Sequence, residues 1–237
     1  MDVRITVCLP TYDERENLEP MVRALGKQGV SVLVIDDSSP DGTGELADRL
    51  AAELENVEVL HRETKEGLGP AYLAGFRQAL AGGAELILEM DADFSHDPHD
   101  VPRLIESAGG ADIVLGSRYV EGGSIRNWGR LRRFVSAGGS GYARRVLGVQ
   151  VHDLTGGFKC FRREVLETID LDAITSRGYA FQIETTYRAL RAGFRVVEIP
   201  IAFVDRERGG SKMSRGIVLE AIWRVPMLRL RALLGRL

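Results

Sequence analysis

Along the first half of this chain, short apolar runs rich in Val, Ile and Leu alternate with amphipathic helical stretches, and this alternation limits the fold more than any other feature. The expected strands are Val3–Leu9, Val30–Ile35, Val57–Leu60, Leu86–Glu89 and Ile113–Leu115. The expected helices between them are Asn17–Lys27, Thr43–Leu54, Gly69–Leu80 and Pro98–Ser107. Such alternation argues for an α/β fold, a Rossmann-like, mostly parallel sheet flanked by helices. Ligands bind these sheets beyond the carboxyl ends of the strands, where this sequence places Pro10, Tyr12, Asp36, Asp37, Asp91 and Asp93. From Gly116 to Gly157 the alternation stops in a Gly- and Arg-rich stretch, with a helix expected around Phe134–Val146. Beyond it, Phe158–Phe161 reads as a strand, Ala180–Arg191 as a helix, and Phe194–Glu198 with Ile201–Val204 as a strand pair broken by Pro200. The 237 residues, 44% of them hydrophobic, suffice for a sizeable core, expected as one domain over 1–213 followed by a short basic, amphipathic segment over 214–237.

The fourth strand runs into Met90-Asp91-Ala92-Asp93, two carboxylates two residues apart. Alone, an Asp-x-Asp is more often a solvated turn. As a ligand set it suits Mg²⁺ or Mn²⁺, since Mg²⁺ is usually held by one or two carboxylates with substrate phosphates completing its octahedron. Charge distribution favours the second reading. The net charge of −3 conceals an asymmetry of about −14 for residues 1–117 against about +11 for residues 118–237. One basic cluster holds Arg118, Arg126, Arg130, Arg132, Arg133, Arg144 and Arg145, and the other runs from Arg206 to Arg236. Such clusters are most often solvated surface, and otherwise serve nucleic acid, anionic lipid or phosphorylated substrates. Beside a metal motif, phosphate is the better partner and nucleic acid is not expected. Cys8 and Cys160 lack pairing or metal spacing and read as buried thiols in a reducing compartment. Met1-Asp2-Val3-Arg4 runs straight into a strand, so no secretory signal is expected, and no stretch reaches the roughly 18 apolar residues of a membrane span.

The end of the second strand and its turn, Val34-Ile35-Asp36-Asp37-Ser38-Ser39-Pro40-Asp41-Gly42-Thr43, combine two acids with a turn and a helix cap. Turn chemistry accounts for Asp41 to Thr43. It accounts less well for Asp36 and Asp37, which repel at a sheet end unless something uses them. This block, together with Leu9–Leu18, Met90–His96 and Gly116-Ser117-Arg118-Tyr119, resembles the family 2 glycosyltransferases of the GT-A fold. More narrowly, Asp153–Phe158, Gly178–Glu184 and Phe203–Met213 resemble the dolichol- and polyprenol-phosphate mannosyltransferases, so the likeness runs from about residue 4 to about residue 213.

The resemblance implies that Pro10, Tyr12, Glu14, Ile35 and Asp37 line a pocket for the guanosine of GDP-mannose, and that Asp91 and Asp93 sit at the metal and diphosphate. It implies a backbone contact to the donor at Ala92. Ser95 stands where a relative can carry a longer metal-contacting side chain, a departure that leaves its role open. Arg118, Arg206 and Lys212 are implied to meet phosphate oxygens, and Arg132, with Arg133 beside it, the acceptor phosphate; Asp93, Arg118 and Arg132 are the implied catalytic residues. The implied reaction is inverting transfer of mannose from GDP-mannose to polyprenyl or dolichyl phosphate. Elementary chemistry agrees: a phosphomonoester with a second pKa near 6 is largely a dianion at neutral pH and a competent nucleophile without a general base.

Other features carry plainer readings. His96 and His99 are poor ligands for a hard cation. Gly67-Leu68-Gly69 fails as a dinucleotide fingerprint because Tyr72 takes the place of the third glycine. Trp128 and Tyr142 read equally as core or as lipid-facing. Gly216–Leu237 is helix-prone, apolar and basic, with Pro226 as a break. It reads either as a terminal helix packed on the domain or as a segment in the membrane interface with arginines reaching lipid phosphates. With a lipid acceptor the expected location is cytoplasmic, peripherally on the cytoplasmic face of a membrane, with or without a separate membrane-anchoring protein. The competing readings are a polyprenol-phosphate glucosyltransferase using UDP-glucose and a non-catalytic sugar-nucleotide-binding module.

Overall fold

The computed structural model describes residues 3–205, 215–235 and 237. Its main sheet contains β1 (Ile5–Thr11), β2 (Ser31–Asp36), β3 (Val57–His61), β4 (Leu86–Glu89), β5 (Ile113–Ser117), β7 (Lys159–Arg162) and β8 (Val196–Pro200), in the order β3-β2-β1-β4-β7-β5-β8. The strands are parallel except β7, which runs antiparallel between β4 and β5. A second, two-stranded sheet pairs β6 (Ser124–Arg126) with β9 (Ala202–Val204). Pro200 ends β8, and the chain passes at once from the main sheet into the small one. This is the physical content of the break expected there.

Helices α1 (Arg15–Gly26), α2 (Thr43–Glu53), α3 (Leu68–Ala81) and α4 (Val101–Ser107) connect the first five strands. Apolar side chains cover both faces of the sheet. Val7, Leu9, Val32, Val34 and Leu88 meet α1, α2 and α4 on one face, while Cys8, Leu33, Ile35 and Ile87 meet α3 on the other. Strands buried on both faces read as continuous apolar runs, as β1 and β4 do. The remaining helices are α5 (Arg130–Leu147), α6 (Arg163–Thr168), α7 (Gly178–Arg191) and α8 (Arg215–Leu233).

Helix α8 packs against α5 and α7. Val225, Leu228 and Ala232 are buried with Ala143 and Leu147 of α5 and with Ile183 and Tyr187 of α7 in a third core cluster. Its other face is exposed, so a packed helix and an apolar surface coexist on opposite sides of one element.

Candidate active site

The carboxyl ends of β1, β2 and β4 open onto one cleft of about 560 Å³. Pro10, Tyr12, Glu14, Asp37, Asp91, Ala92, Asp93, Ser95, Arg118 and Arg132 all line it. Ile35 does not. It is wholly buried on the α3 face of the sheet against Gly75, because strand alternation turns it away from the side its neighbours Val34 and Asp36 share. Arg206, Lys212 and the segment 207–210 lie outside the described residues.

The two adjacent acids at the end of β2 are both used. Asp36 accepts from the Thr11 hydroxyl at 3.4 Å and from the Ser39 N–H at 3.2 Å, fixing the turn. Asp37 forms an ion pair with Arg62 through Oδ1 and accepts the Gly67 N–H at Oδ2, 3.1 Å away. Glu14 accepts from Asn17 Nδ2 at 2.8 Å and, through its own N–H, donates to the Thr43 hydroxyl at 3.1 Å. Over the Tyr12 ring sits the Lys65 ammonium, 3.4 Å from the centroid. Neither Lys65 nor Gly67 was expected at the site. The rejection of a dinucleotide fingerprint at Gly67 leaves its other use intact, which is a turn with φ of 99° that lets the backbone close on Asp37.

At the end of β4, Asp93 accepts from the Ser95 N–H at 3.0 Å and from the Ser95 hydroxyl, so Ser95 orients a carboxylate. Phe94 between them takes a left-handed conformation, φ 60°. His96 is buried, stacked on Phe158 with ring centroids 4.9 Å apart. Its Nδ1 accepts the backbone N–H of Asp91 at 3.3 Å. Burial, opposed by Asp93 and reinforced by Arg118, pushes its pKa down to about 4, so the ring is neutral near pH 7. His96 therefore props the acidic loop from behind, a role that ligand chemistry alone does not suggest. His99 lies outside the cleft, exposed and hydrogen-bonded to Asp97.

The arginines come from the segment where strand and helix alternation stops. Arg118 donates to Asp153 from Nε at 2.7 Å and from Nη2 at 2.6 Å, with Thr155 Oγ1 3.0 Å from Nη2. Burial works against its charge, and the wholly buried Asp153 more than offsets this, so its pKa stands above the ordinary arginine value. No described residue accepts from Nη1. Arg132 bonds to Asp205 at 2.7 Å and stacks on Trp128, 4.2 Å from the ring centroid. Trp128 is thus a cleft-wall residue.

Directly beneath the acidic loop, Glu89 and Lys159 face each other across β4 and β7 as register partners, 2.9 Å apart and both fully buried. Burial pushes the Glu89 carboxyl up and the Lys159 ammonium down, each effect opposed by the partner's charge. Gln182 of α7, which lines the cleft, accepts from Lys159 and donates to Glu89 at 3.4 Å.

Residues 6–170 match the profile of the family described as Glycosyl transferase family 2. The chain is 50% identical over 237 residues to the polyprenol monophosphomannose synthase of Mycolicibacterium smegmatis, covering 98% of this chain and 89% of that one. It is 51% identical over 223 residues to the undecaprenyl-phosphate mannosyltransferase of Micrococcus luteus, covering 93% and 91%. Among solved structures, glucosyl-3-phosphoglycerate synthase from Mycobacterium tuberculosis, with Mn²⁺, UDP and glucosyl-3-phosphoglycerate, superposes with a TM-score of 0.64 at 21% identity, covering 99% of this chain and 80% of that one. A mannosyltransferase from Pyrobaculum calidifontis in complex with GDP-Man and Mn²⁺ gives 0.58 at 16% identity, covering 99% and 75%. These likenesses bear on the fold and agree with the GT-A architecture expected from the sequence.

Proposed function

The chain belongs to glycosyl transferase family 2, and from that premise we propose that it transfers mannose from GDP-mannose to a polyprenyl (dolichyl) phosphate with inversion, releasing GDP. The observation that carries the reading is a single cleft holding both the carboxylate pair Asp91 and Asp93 and the arginines Arg118 and Arg132. The names of the two relatives at about half identity support the acceptor class.

The reaction brings an anionic acceptor against an anionic donor, and the side chains suit that difficulty. A phosphate dianion needs no general base. Arg118, clamped by Asp153 at Nε and Nη2, offers Nη1 from a fixed position, so little side-chain freedom is lost when an anion binds. Arg132 adds a second guanidinium, and with it the capacity for bidentate phosphate recognition. Attack in line with the departing diphosphate inverts the anomeric carbon. Asp91 and Asp93 fit Mg²⁺ or Mn²⁺ by their chemistry: hard oxygen donors on one loop, Asp93 oriented by Ser95, and the neighbouring imidazole nitrogen turned to backbone rather than toward a cation. Bound there, the ion would supply neutralisation of the charge that grows on the leaving GDP. Tyr12, Glu14 and Asp37, at the ends of the first two strands, are the residues proposed for the nucleoside, and Ala92 for a backbone contact.

The same reading places the protein at a membrane surface. No helix among the described residues is long and apolar enough to cross a bilayer. Yet α5 and α8, joined by the Tyr142 hydroxyl donating to the Ile222 carbonyl at 2.9 Å, expose Phe134 (77%), Trp223 (79%), Met227, Leu230 and Leu233. An apolar face of this kind beside arginines suits the headgroup boundary. Attachment through a separate anchoring protein is the alternative use of this face.

The test is a donor panel with one polyprenyl phosphate. GDP-mannose with Mg²⁺ or Mn²⁺ should give lipid-linked mannose and lipid-dependent GDP release. Preference for UDP-glucose, or GDP release indifferent to the lipid phosphate, would overturn the assignment.

A further inference from the structure

Trp128 combines properties that the reaction described so far does not use. The side chain is 6% exposed and lines the cleft, and its Nε1–H is shut off from water with no acceptor among the described residues. An unpaired buried donor is unfavourable by more than an ordinary hydrogen bond contributes, so its retention calls for an explanation. The backbone that holds it is also unusual. Asn127 has φ of 63°, a left-handed conformation that non-glycine residues adopt mainly in tight turns or under strain at functional sites.

The surroundings indicate what would pair with this donor. The Arg132 guanidinium lies 4.2 Å and that of Arg118 5.6 Å from the indole centroid, and Phe203 packs edge-on at 5.2 Å. The acids bonded to these arginines, Asp153 and Asp205, already have their partners. An indole N–H donates and cannot accept, so it suits an anion's oxygen better than a sugar hydroxyl, which brings a proton of its own. We propose that Trp128 is a substrate-binding residue: as the acceptor phosphate enters beside Arg118 and Arg132, the side chains packed over the indole give way and the uncovered Nε1–H donates to a phosphate oxygen. This rests on the acceptor reading above.

The test uses the full chain and geranyl phosphate, a water-soluble polyprenyl phosphate. Trp128→Phe keeps an aromatic ring under Arg132 and removes only the donor. The KM for geranyl phosphate should rise about tenfold, the scale of one hydrogen bond to a charged group, while kcat and the KM for GDP-mannose stay within about twofold. In ¹⁵N-tryptophan-labelled wild-type protein, with the Trp223 signal assigned from Trp223→Phe, the Trp128 indole N–H resonance should move downfield with geranyl phosphate and stay in place with geraniol. This second measurement needs no Trp128 variant to fold. An unmoved resonance at saturating geranyl phosphate overturns the proposal. So does an unchanged acceptor KM in folded Trp128→Phe, or a rise confined to the donor KM, which would move the N–H to the diphosphate. If wild type binds GDP-mannose but never transfers to any polyprenyl phosphate, the reaction assignment itself fails, and with it the premise.

Discussion

Removing the positive end of the Glu89–Lys159 pair tests whether the floor of the cleft is an electrostatic unit. Both side chains are fully buried, with an N···O separation of 2.9 Å, and Gln182 is the only other side chain hydrogen-bonded to either among the described residues. Lys159→Met keeps the volume and strands the carboxylate. Breaking a buried pair from one side typically costs about 3–5 kcal/mol, which for a chain of this size lowers Tm by roughly 6–20 °C. The pH dependence identifies the cause. Burial raises the folded-state pKa of Glu89 above its unfolded value of about 4.3, and loss of the opposing Lys159 charge should raise it further, so the neutral acid is the form that folding of the variant favours. The variant should be closest to wild type below that value and lose stability progressively as pH rises toward the elevated folded pKa. Replacing both residues, Glu89→Gln with Lys159→Met, removes both charges and should recover most of the loss at neutral pH. Urea unfolding at a series of pH values, with m-values compared, provides the measurement. A loss below about 1 kcal/mol, or one that does not change with pH, would refute the reasoning.

Asp93→Asn should leave Tm nearly unchanged and lower turnover by at least about a hundredfold, because the developing diphosphate charge loses its counter-charge; full turnover in the folded variant would reject the metal assignment. Burial raises the Cys160 thiol to about 12 and Cys8, also by burial with Glu89 nearby, further still. Neither should react with a disulfide reagent at pH 8 in the native protein, and both should react in urea. Asp153→Asn should raise the acceptor KM and destabilise the fold by about 3 kcal/mol or more, since it strands the buried Arg118; equal Tm and equal KM would count against the clamp. Phe134→Ser with Trp223→Ser should weaken binding to anionic vesicles while turnover on geranyl phosphate persists. Equal vesicle binding would move the membrane contact off α5 and α8.

The α/β plan was legible because hydrophobic periodicity marks buried strands and helices directly, and the five early strands fall within a few residues of expectation. Strand direction is not written in an apolar run. The expected Phe158–Phe161 strand exists as β7, but its antiparallel course between β4 and β5 depends on pairings across about 70 and about 45 residues of chain. Of the short β6–β9 pair, β9 falls within the expected Ile201–Val204 strand, while the three residues of β6 carry too little pattern to be read. At the site, motif residues located the cleft, while Arg62 behind Asp37 and Asp153 behind Arg118 were hidden by distance along the chain, and His96, five residues from Asp91, was set aside because ligand chemistry gave it no role. Ile35 shows the opposite error, in which a motif neighbour was carried into the pocket although strand alternation sends it to the core.

The basic excess of the second half also divides once side chains are placed. Several of its arginines are occupied with backbone carbonyls. Arg162 donates to the Ala108 and Ala111 carbonyls, Arg163 to those of Leu80 and Ala84, and Arg229 to that of Leu147 at the end of α5. Guanidinium groups at helix ends satisfy orphan carbonyls and complement the negative end of the helix dipole. Arg188 is held in a buried pair with Glu184. A charge count from sequence therefore overstates what remains for anions. Among the described residues, Arg118 and Arg132 line the cleft although each is paired with an aspartate, and Arg130 and Arg145 are exposed on α5, a helix whose sequence has no acidic residue. Helix α5 thus carries cleft arginine, exposed arginines and exposed Phe134 on one rigid element. On the proposed function, this arrangement would let one helix meet both an anionic acceptor at the cleft and an apolar surface beside it.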